Sequence, residues 1–341
     1  MMGFEVIRPG LLTLVQDEGR IGYRRYGVPV GGIMDTFAGR AANMLVGNTR
    51  HEAVLEITMS GPELHMLKDQ LISICGADLS VTVDRQPVPM WRPVLLRAGS
   101  VLKFGASRHG LRAYLALAGG IDVPQVMGSR STDLKTVLGG FHGRALRTSD
   151  VLATGDITGE VQQWIYHMTM QLGADQCMAA PSWLLSERER PDYYGQPVIR
   201  VMHGQDSSCF RSESLEQFYT RPYVVSSQSD RMGYRMQGPL LELEQPMSRL
   251  SEAVTYGTVQ VPPDGQPIIL MADHQTIGGY PVIAQAAFVD LPILAQLRPG
   301  AQISFVQITN EEARCLYVQR QQKFQLLDKL IRSKMAEGQG R

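Results

Sequence analysis

"LRPGAQISF", Leu297–Phe305, is the stretch on which the reading of this chain turns, because nearly the same words stand earlier as "LRAGSVLKF", Leu96–Phe104. In both, Leu-Arg and a Gly lead into a run that reads as a short strand. One such match proves little, but a duplication predicts further matches in the same order. Three more are present. "RIGYRRYG" at Arg20–Gly27 returns as "RMGYRMQG" at Arg231–Gly238, and "EAV" at Glu52–Val54 returns at Glu252–Val254. "ISICGAD", ending at Asp78, returns as "IILMAD", ending at Asp273. Four anchors in one order predict two tandem copies of one unit. The boundary falls in the polar "SERERPDYYGQP", Ser186–Pro197, which carries two prolines and a glycine. The first domain is therefore expected over residues 1–190. The second is expected over 191–341 with a C-terminal helix, and segments can cross between them. By analogy with homodimers the copies are expected about a pseudo-two-fold axis, the repeated Gly-Tyr-Arg strings as equivalent loops and the site where the copies meet.

Most of the rest reads as short strands bounded by Gly, Pro or Asp: "LISICGADLSVTVD", "RAYLALAGG", "YVVSSQS", "GTVQVP", "QPIILMAD". Some alternate; others are continuous apolar runs suited to buried strands. This predicts a mainly β protein of barrels or sandwiches with few helices. One helix is expected in "MDTFAGRAANMLVGN", with Asp35 as N-cap and Gly47 as stop. The clearest is "TNEEARCLYVQRQQKFQLLDKLIRSKM", opened by a Thr309/Glu312 capping box. The "EGQGR" tail, 337–341, reads as frayed.

Composition sets limits. The 341 residues are 44% hydrophobic and 19% charged, which is globular rather than disordered. The formal net charge is zero, so neither nucleic acid nor a membrane surface is suggested as a partner. Cys75, Cys177, Cys209 and Cys315 form no C-x-x-C pair and read as reduced thiols. "MMGFEVIRPG" has no apolar signal core, and no apolar run approaches the roughly 20 residues needed to span a bilayer. The expected location is the cytoplasm.

Chemistry concentrates in four stretches. In "VQDEGRIGYRRYGVPVGGIMD", Arg20 and Arg24 have the fork geometry for a carboxylate or phosphate, or they pair with the loop's own aspartates. No Gly-Lys-Ser/Thr follows, so this is not a P-loop. In "GSRSTDLKTVLGG", Ser129, Ser131, Thr132 and Asp133 could cradle an anion or simply cap a helix. "SSQSDRMGYRMQGP" is the third. The fourth, "ILMADHQTIGGYP", sets Asp273, His274, Gln275 and Thr276 at the mouth of a buried strand. There Asp273 or His274 could serve as general base, with Gln275 and Thr276 as hydrogen-bond donors. The other histidines show no metal-binding spacing, and no metal site is expected.

Together these strings resemble the allophanate hydrolase subunit 2 family, also called the biotin-dependent carboxyltransferase or 5-oxoprolinase C-subunit family, to which the kinase-inhibitor antagonist of sporulating bacilli belongs. The matching strings, from "RPGLLTLVQDEGRIGYRRYGVPVGGIMD" to "EAVTYGTVQVPPDGQPIILMADHQTIGGYP", span about Arg8 to Pro281. The resemblance implies two tandem cyclophilin-like β-barrel domains. It also implies a subunit 1 (the B subunit, or the kinase inhibitor itself) as partner. With a separate A subunit, the complex would be an ATP-dependent 5-oxoprolinase opening a lactam to glutamate. ATP with Mg would enter through that complex, and the chain would be inactive alone. Two alternatives remain: a regulatory antagonist of a kinase-inhibitor partner, and the carboxyltransferase of a urea-carboxylase-like system, for which biotin would be the cofactor. Carried over by motif, the catalytic positions are Asp35, Asp273, Gln275 and Thr276. The substrate- or anion-binding positions are Gln16, Asp17, Arg20, Arg130, Ser131, Thr132, Asp230, Arg231, Tyr234, Gln260 and Tyr280. Two departures stand out: Ile277 replaces the second Thr of "ADxQTTGGYP", and "HGQDSSCF", His203–Phe210, lacks the family's Pro.

Overall fold

The computed structural model describes residues 2–173, 175–247 and 250–337; the tail from 338 onward lies outside them. The protein is mainly β and forms two compact units. Unit 1 comprises the chain up to Gly19, Asp35–Arg190, and the part from Phe324 onward. Unit 2 comprises Arg20–Met34 and Pro191–Lys323. Two segments therefore cross: Arg20–Met34, and the C-terminal helix Asn310–Glu337, which begins in unit 2 and ends in unit 1. All four cysteines are free. Among the described residues no helix is long and apolar enough to cross a membrane.

Unit 1 encloses one core between two sheets. The six-stranded sheet is built on Val54–Thr58, His109–Leu117 and Gln70–Asp78, paired antiparallel in that order. The seven-stranded sheet contains Met2–Arg8, Glu63–Met66 and Val101–Lys103. Phe4, Val6, Leu64 and Leu102 of one sheet share the core with Leu55, Ile57, Ile72, Ile74 and Leu115 of the other. Gln70–Asp78 is buried almost throughout because helix Thr36–Leu45 covers its outer face, where the Ser73 hydroxyl donates to the Ala42 carbonyl at 2.6 Å. That explains a continuous apolar run instead of a clean alternation. The helix begins as expected: the Asp35 Oδ1 accepts from the Ala38 amide at 2.9 Å. It ends before Gly47, whose φ of 73° is the left-handed conformation of a helix stop.

Unit 2 is a closed seven-stranded barrel. The ring runs Val198–His203, Val282–Ala286, Thr258–Gln260, Ile268–Leu270, Gly233–Gln237, Tyr223–Val225 and Gln302–Gln307. It closes through a parallel ladder between Val198–His203 and Gln302–Gln307, with Ile199 opposite Phe305. Alternation decides what faces inward. In Gly233–Gln237, Tyr234 and Met236 are buried while Arg235 and Gln237 are exposed. Phe218 of helix Ser212–Thr220 stacks on Phe305 at 4.4 Å between ring centroids.

The duplicated "LRxG" string maps onto one local structure made twice. In unit 1 the Ser100 amide donates to the Arg97 carbonyl (3.2 Å) across a turn with Gly99 at φ 85°. In unit 2 the Ala301 amide donates to the Arg298 carbonyl (3.0 Å) across a turn with Gly300 at φ 87°. Each turn docks on the last residue of an earlier strand, Glu63–Met66 or Tyr223–Val225, by the same two bonds. Gly99 donates to Met66 and Met66 to Ser100 at 2.7 and 2.9 Å; Gly300 donates to Val225 and Val225 to Ala301 at 2.8 and 2.9 Å.

The Gly-Tyr-Arg repeat does not behave this way, and the expectation of equivalent loops is corrected. Arg231–Gly238 contains a barrel strand, Gly233–Gln237, with ladder neighbours on both sides. Arg20–Gly27 lies in a crossing segment that joins no ladder. It forms the single 3-10 turn Arg24–Tyr26, closed by Gly27 at φ 78°. An Arg-x-Gly-Tyr-Arg spacing carries no hydrophobic period, so the available partners decide the conformation.

Gly119 tests the packing between loops of unit 1. Its φ is +89°, and a Cβ there would lie 2.3 Å from the backbone oxygen of Gly155. Gly119→Ala should cost more than about 2 kcal/mol, since backbone strain and a backbone clash add. Urea denaturation measures it; a loss under about 0.5 kcal/mol, the size of an ordinary surface substitution, would contradict the geometry.

Candidate functional site

The predicted residues gather in two places, one in each unit. In unit 2 the strand Ile268–Leu270 pairs with Gly233–Gln237, and the ladder continues past both. Met271 donates to the Met232 carbonyl at 3.0 Å and Asp273 to the Arg231 carbonyl at 2.8 Å. This sets two side chains from distant strings side by side. The Arg231 guanidinium grips Asp273 with Nε to Oδ2 at 2.7 Å and Nη2 to Oδ1 at 3.0 Å. Such a two-point fork fixes orientation as well as charge. The same Nη2 donates to the Gly32 carbonyl at 2.6 Å, and Arg231 is only 6% exposed.

Gly32 belongs to the crossing segment, so the first string meets the third and fourth here. The Tyr256 hydroxyl donates to the Met34 carbonyl at 2.9 Å. Arg24 donates to the Val254 carbonyl, and Val254 in turn donates to Thr276 at 3.2 Å. The backbone passes close to the pair at Gly31, where a Cβ would lie 3.4 Å from Asp273 Oδ1. Arg20 is buried at the start of the segment, its amide donating to the Val30 carbonyl at 2.7 Å.

His274 sits beside the pair, 4% exposed. Its Nδ1 lies 2.5 Å from the Gln275 carbonyl, which makes Nδ1 the protonated nitrogen and leaves Nε2 an acceptor. Burial pushes its pKa down from the ordinary 6.5; the Gln275 carbonyl opposes that, and the Arg24 charge adds to it. A histidine held neutral contributes stability above about pH 6.5 that is lost as pH falls toward the lowered value, because the unfolded chain binds the proton first. Wild type should therefore lose more thermal stability than His274→Gln between about pH 7.5 and 5. Parallel pH profiles would refute this.

The other motif residues of unit 2 divide by role. Gln260 is buried and donates to the Tyr280 carbonyl at 3.2 Å, its amide filling the space a Cβ on Gly278 would need. Tyr280 is half-exposed on a groove of about 820 Å³ walled by Leu240, Met247, Val261 and Pro281. Gln275 and Thr276 are half-buried, and Ile277 is exposed in the two-stranded sheet Ile277–Gly278 with Glu252–Ala253. Asp230 caps a turn, accepting from Met232 at 2.7 Å and Gly233 at 3.2 Å. Tyr234 packs in the barrel core. In the altered "HGQDSSCF" string, Asp206 accepts from the Val282 amide at 2.8 Å.

In unit 1 the Ser-Thr cradle holds the protein's own anion. Asp17 Oδ1 accepts from the Ser129 and Ser131 hydroxyls, both at 2.6 Å, and from the Gly19 amide at 2.9 Å. Its Oδ2 accepts from the Arg130 amide at 2.5 Å. The Thr132 hydroxyl donates to the Val15 carbonyl at 3.0 Å and Gln16 to the Thr132 carbonyl at 3.0 Å. The Arg130 side chain turns toward Val123 and Glu52. Asp35, besides capping its helix, donates through its amide to the Tyr114 oxygen at 2.8 Å. Tyr114 donates to Glu56 at 2.9 Å, and Arg112 stands 3.8 Å from that carboxylate. Burial and the nearby carboxylates of Glu56 and Asp35 push the Tyr114 phenol well up.

Sequence reading missed Tyr256, Tyr114, Arg112 and Glu56. A carboxylate in the apolar run "VLEIT" was a usable signal, since a fully buried Glu needs partners.

This fold and these strings define a class: the family described as carboxyltransferase domain, subdomain A and B, matches residues 26–307, and the chain belongs to it. Similar curated proteins include the C subunit of 5-oxoprolinase from Escherichia coli (strain K12), 39% identical over 310 residues, covering 91% of this chain and 92% of that one. The Haemophilus influenzae C subunit is 38% identical over 299 residues, 88% of this chain and 89% of that one. Among solved structures, the Kluyveromyces lactis urea amidolyase superposes with a TM-score of 0.84 at 31% identity. That match covers 94% of this chain, which spans 20% of the amidolyase.

Proposed function

We propose that the chain is the C subunit of an ATP-dependent 5-oxoprolinase-type complex that opens the lactam of 5-oxoproline to glutamate with a B-subunit partner and an A subunit. The observation that carries this is similarity over most of both chains: the E. coli 5-oxoprolinase C subunit is 39% identical over 91% of this chain and 92% of its own length. The urea amidolyase of Saccharomyces cerevisiae matches over 92% of this chain but 17% of its own length.

An unstrained lactam resists water, and ATP supplies the activation by making the carbonyl oxygen a leaving group. This chain's own residues do not fit the nucleotide. The one cradle of hydroxyls and amides described above is filled by Asp17, and among the described residues no three His, Cys, Asp or Glu converge as metal ligands. On this reading ATP and its Mg enter through the complex. What this chain offers is the Arg231–Asp273 pair with His274 beside it. The fork occupies both oxygens of Asp273, which makes it an orienting group in preference to a free base. His274, neutral with Nε2 unprotonated, is the better proton acceptor of the two.

The family description and the fold of urea amidolyase support a second reading, carboxyl transfer from biotin. The two separate by which substrate stimulates ADP release in the complex assembled with its neighbouring subunits. Stimulation by 5-oxoproline and not by urea supports the first. Stimulation by urea, dependent on a biotinylated carrier, replaces it with the second.

A further inference from the structure

We propose that Arg24 is the anion anchor of the unit 2 site: its guanidinium takes the carboxylate of the substrate and so holds the lactam against His274. The inference rests on the 5-oxoprolinase reading above and says how that site would hold its substrate.

Arg24 stands half-buried in the turn Arg24–Tyr26, within unit 2. Its Nη2 donates to the Val254 carbonyl, and its Nε is buried with no acceptor in reach. Among the described residues no carboxylate pairs with it, Asp17 and Asp35 of its own string included. A guanidinium carries a full charge and a fork of donors, and its burial costs free energy that a counter-ion normally offsets. Arg231 shows that ordinary outcome in the same unit, with Asp273 on its fork and the Gly32 carbonyl on Nη2. Arg24 keeps its charge and an unmet donor, the state of a binding arginine before its anion arrives.

The surroundings narrow the choice of anion. Val254, which Arg24 holds, donates to the Thr276 carbonyl at 3.2 Å, two residues beyond His274. The Arg24 charge is near enough to His274 to help keep its imidazole neutral. The turn is also open: at Gly22 and Gly27, on either side of Arg24, an added Cβ would meet nothing within 4 Å. The site therefore presents a cation close to an unprotonated imidazole nitrogen, and it suits a ligand with an anion and an N–H donor close together. 5-Oxoproline carries its carboxylate and its lactam N–H on one carbon. With the carboxylate on the Arg24 fork, the N–H falls to His274. A lactam lacking the carboxylate forfeits the stronger of the two contacts.

The test is equilibrium dialysis of the assembled complex without ATP, which reads binding without turnover. The ligands are radiolabelled 5-oxoproline and 2-pyrrolidone, the same ring without the carboxylate. Arg24→Gln keeps a donor for the Val254 carbonyl and removes the charge. It should weaken 5-oxoproline by about 10- to 100-fold, the worth of one hydrogen bond to a charged group, and leave 2-pyrrolidone within about twofold. A merely structural Arg24 would weaken both ligands alike, and that result overturns the proposal. Arg24→Lys keeps the charge without the fork; it should lose less than Arg24→Gln, still on 5-oxoproline alone, and it decides the question if the Gln variant does not fold. Inorganic phosphate is the competing anion. Phosphate that binds wild type and is lost in Arg24→Gln, while 5-oxoproline is kept, would give Arg24 to a phosphoryl group and overturn the proposal. A wild-type complex that binds no 5-oxoproline removes the 5-oxoprolinase reading itself, and this assignment with it. Wild-type binding untouched by either variant removes only the role of Arg24.

Discussion

Arg231→Met should destabilise the barrel unit by about 3–5 kcal/mol, the range for removing one partner of a buried ion pair. The substitution keeps an apolar stem and deletes the guanidinium. It leaves the Asp273 carboxylate, which is 16% exposed as a side chain, and the Gly32 carbonyl without their shared donor. The cost lies in the uncompensated charge more than in lost attraction, so a double variant makes a sharp check. Arg231→Met with Asp273→Leu should recover part of the loss, because no charge is then stranded. Arg231→Lys should fall between, since an ammonium cannot reproduce the fork. Thermal unfolding followed by far-ultraviolet circular dichroism measures all three. A single Met variant within about 1 kcal/mol of wild type would mean the pair is solvated and the account of the site is wrong.

The second large effect is expected in unit 1. Asp17→Ala removes the acceptor of four donors at once: the Ser129 and Ser131 hydroxyls and the Gly19 and Arg130 amides. Each orphaned buried donor costs about 1–3 kcal/mol, partly relieved where the loop can open to water, so about 3–5 kcal/mol is expected in total. Asp17→Asn should cost less, keeping one oxygen as acceptor. Trp91, Trp164 and Trp183 all lie in unit 1, so the urea midpoint read by tryptophan fluorescence reports this unit. An unchanged midpoint in Asp17→Ala would return the Ser-Thr cradle to the role of an open anion site.

What was readable in the sequence is what local physics decides. The Asp35 cap, the Gly47 stop and the Thr309/Glu312 capping box follow from bonds within a few residues, and all three are made. The duplicated "LRxG" turn was legible because a left-handed Gly and a strand start leave a mark on composition. The fate of Arg20–Gly27 was not, because its conformation depends on partners far along the chain, such as Val254. The same limit hid the role of Asp17. Serines, a threonine and an aspartate in one loop look alike whether they await a ligand or a carboxylate from a distant strand. For Asp273 the strand mouth was legible, but its partner was not: Arg231, from a distant string, grips both of its oxygens.

The most direct test of the central claim is ATP-dependent glutamate formation from 5-oxoproline by this chain assembled with its neighbouring subunits. The account predicts turnover that disappears when this chain is left out, returns when it is added back, and is absent from the chain alone. Turnover that continues at full rate without it would show that the chain is no working part of a lactam-opening enzyme.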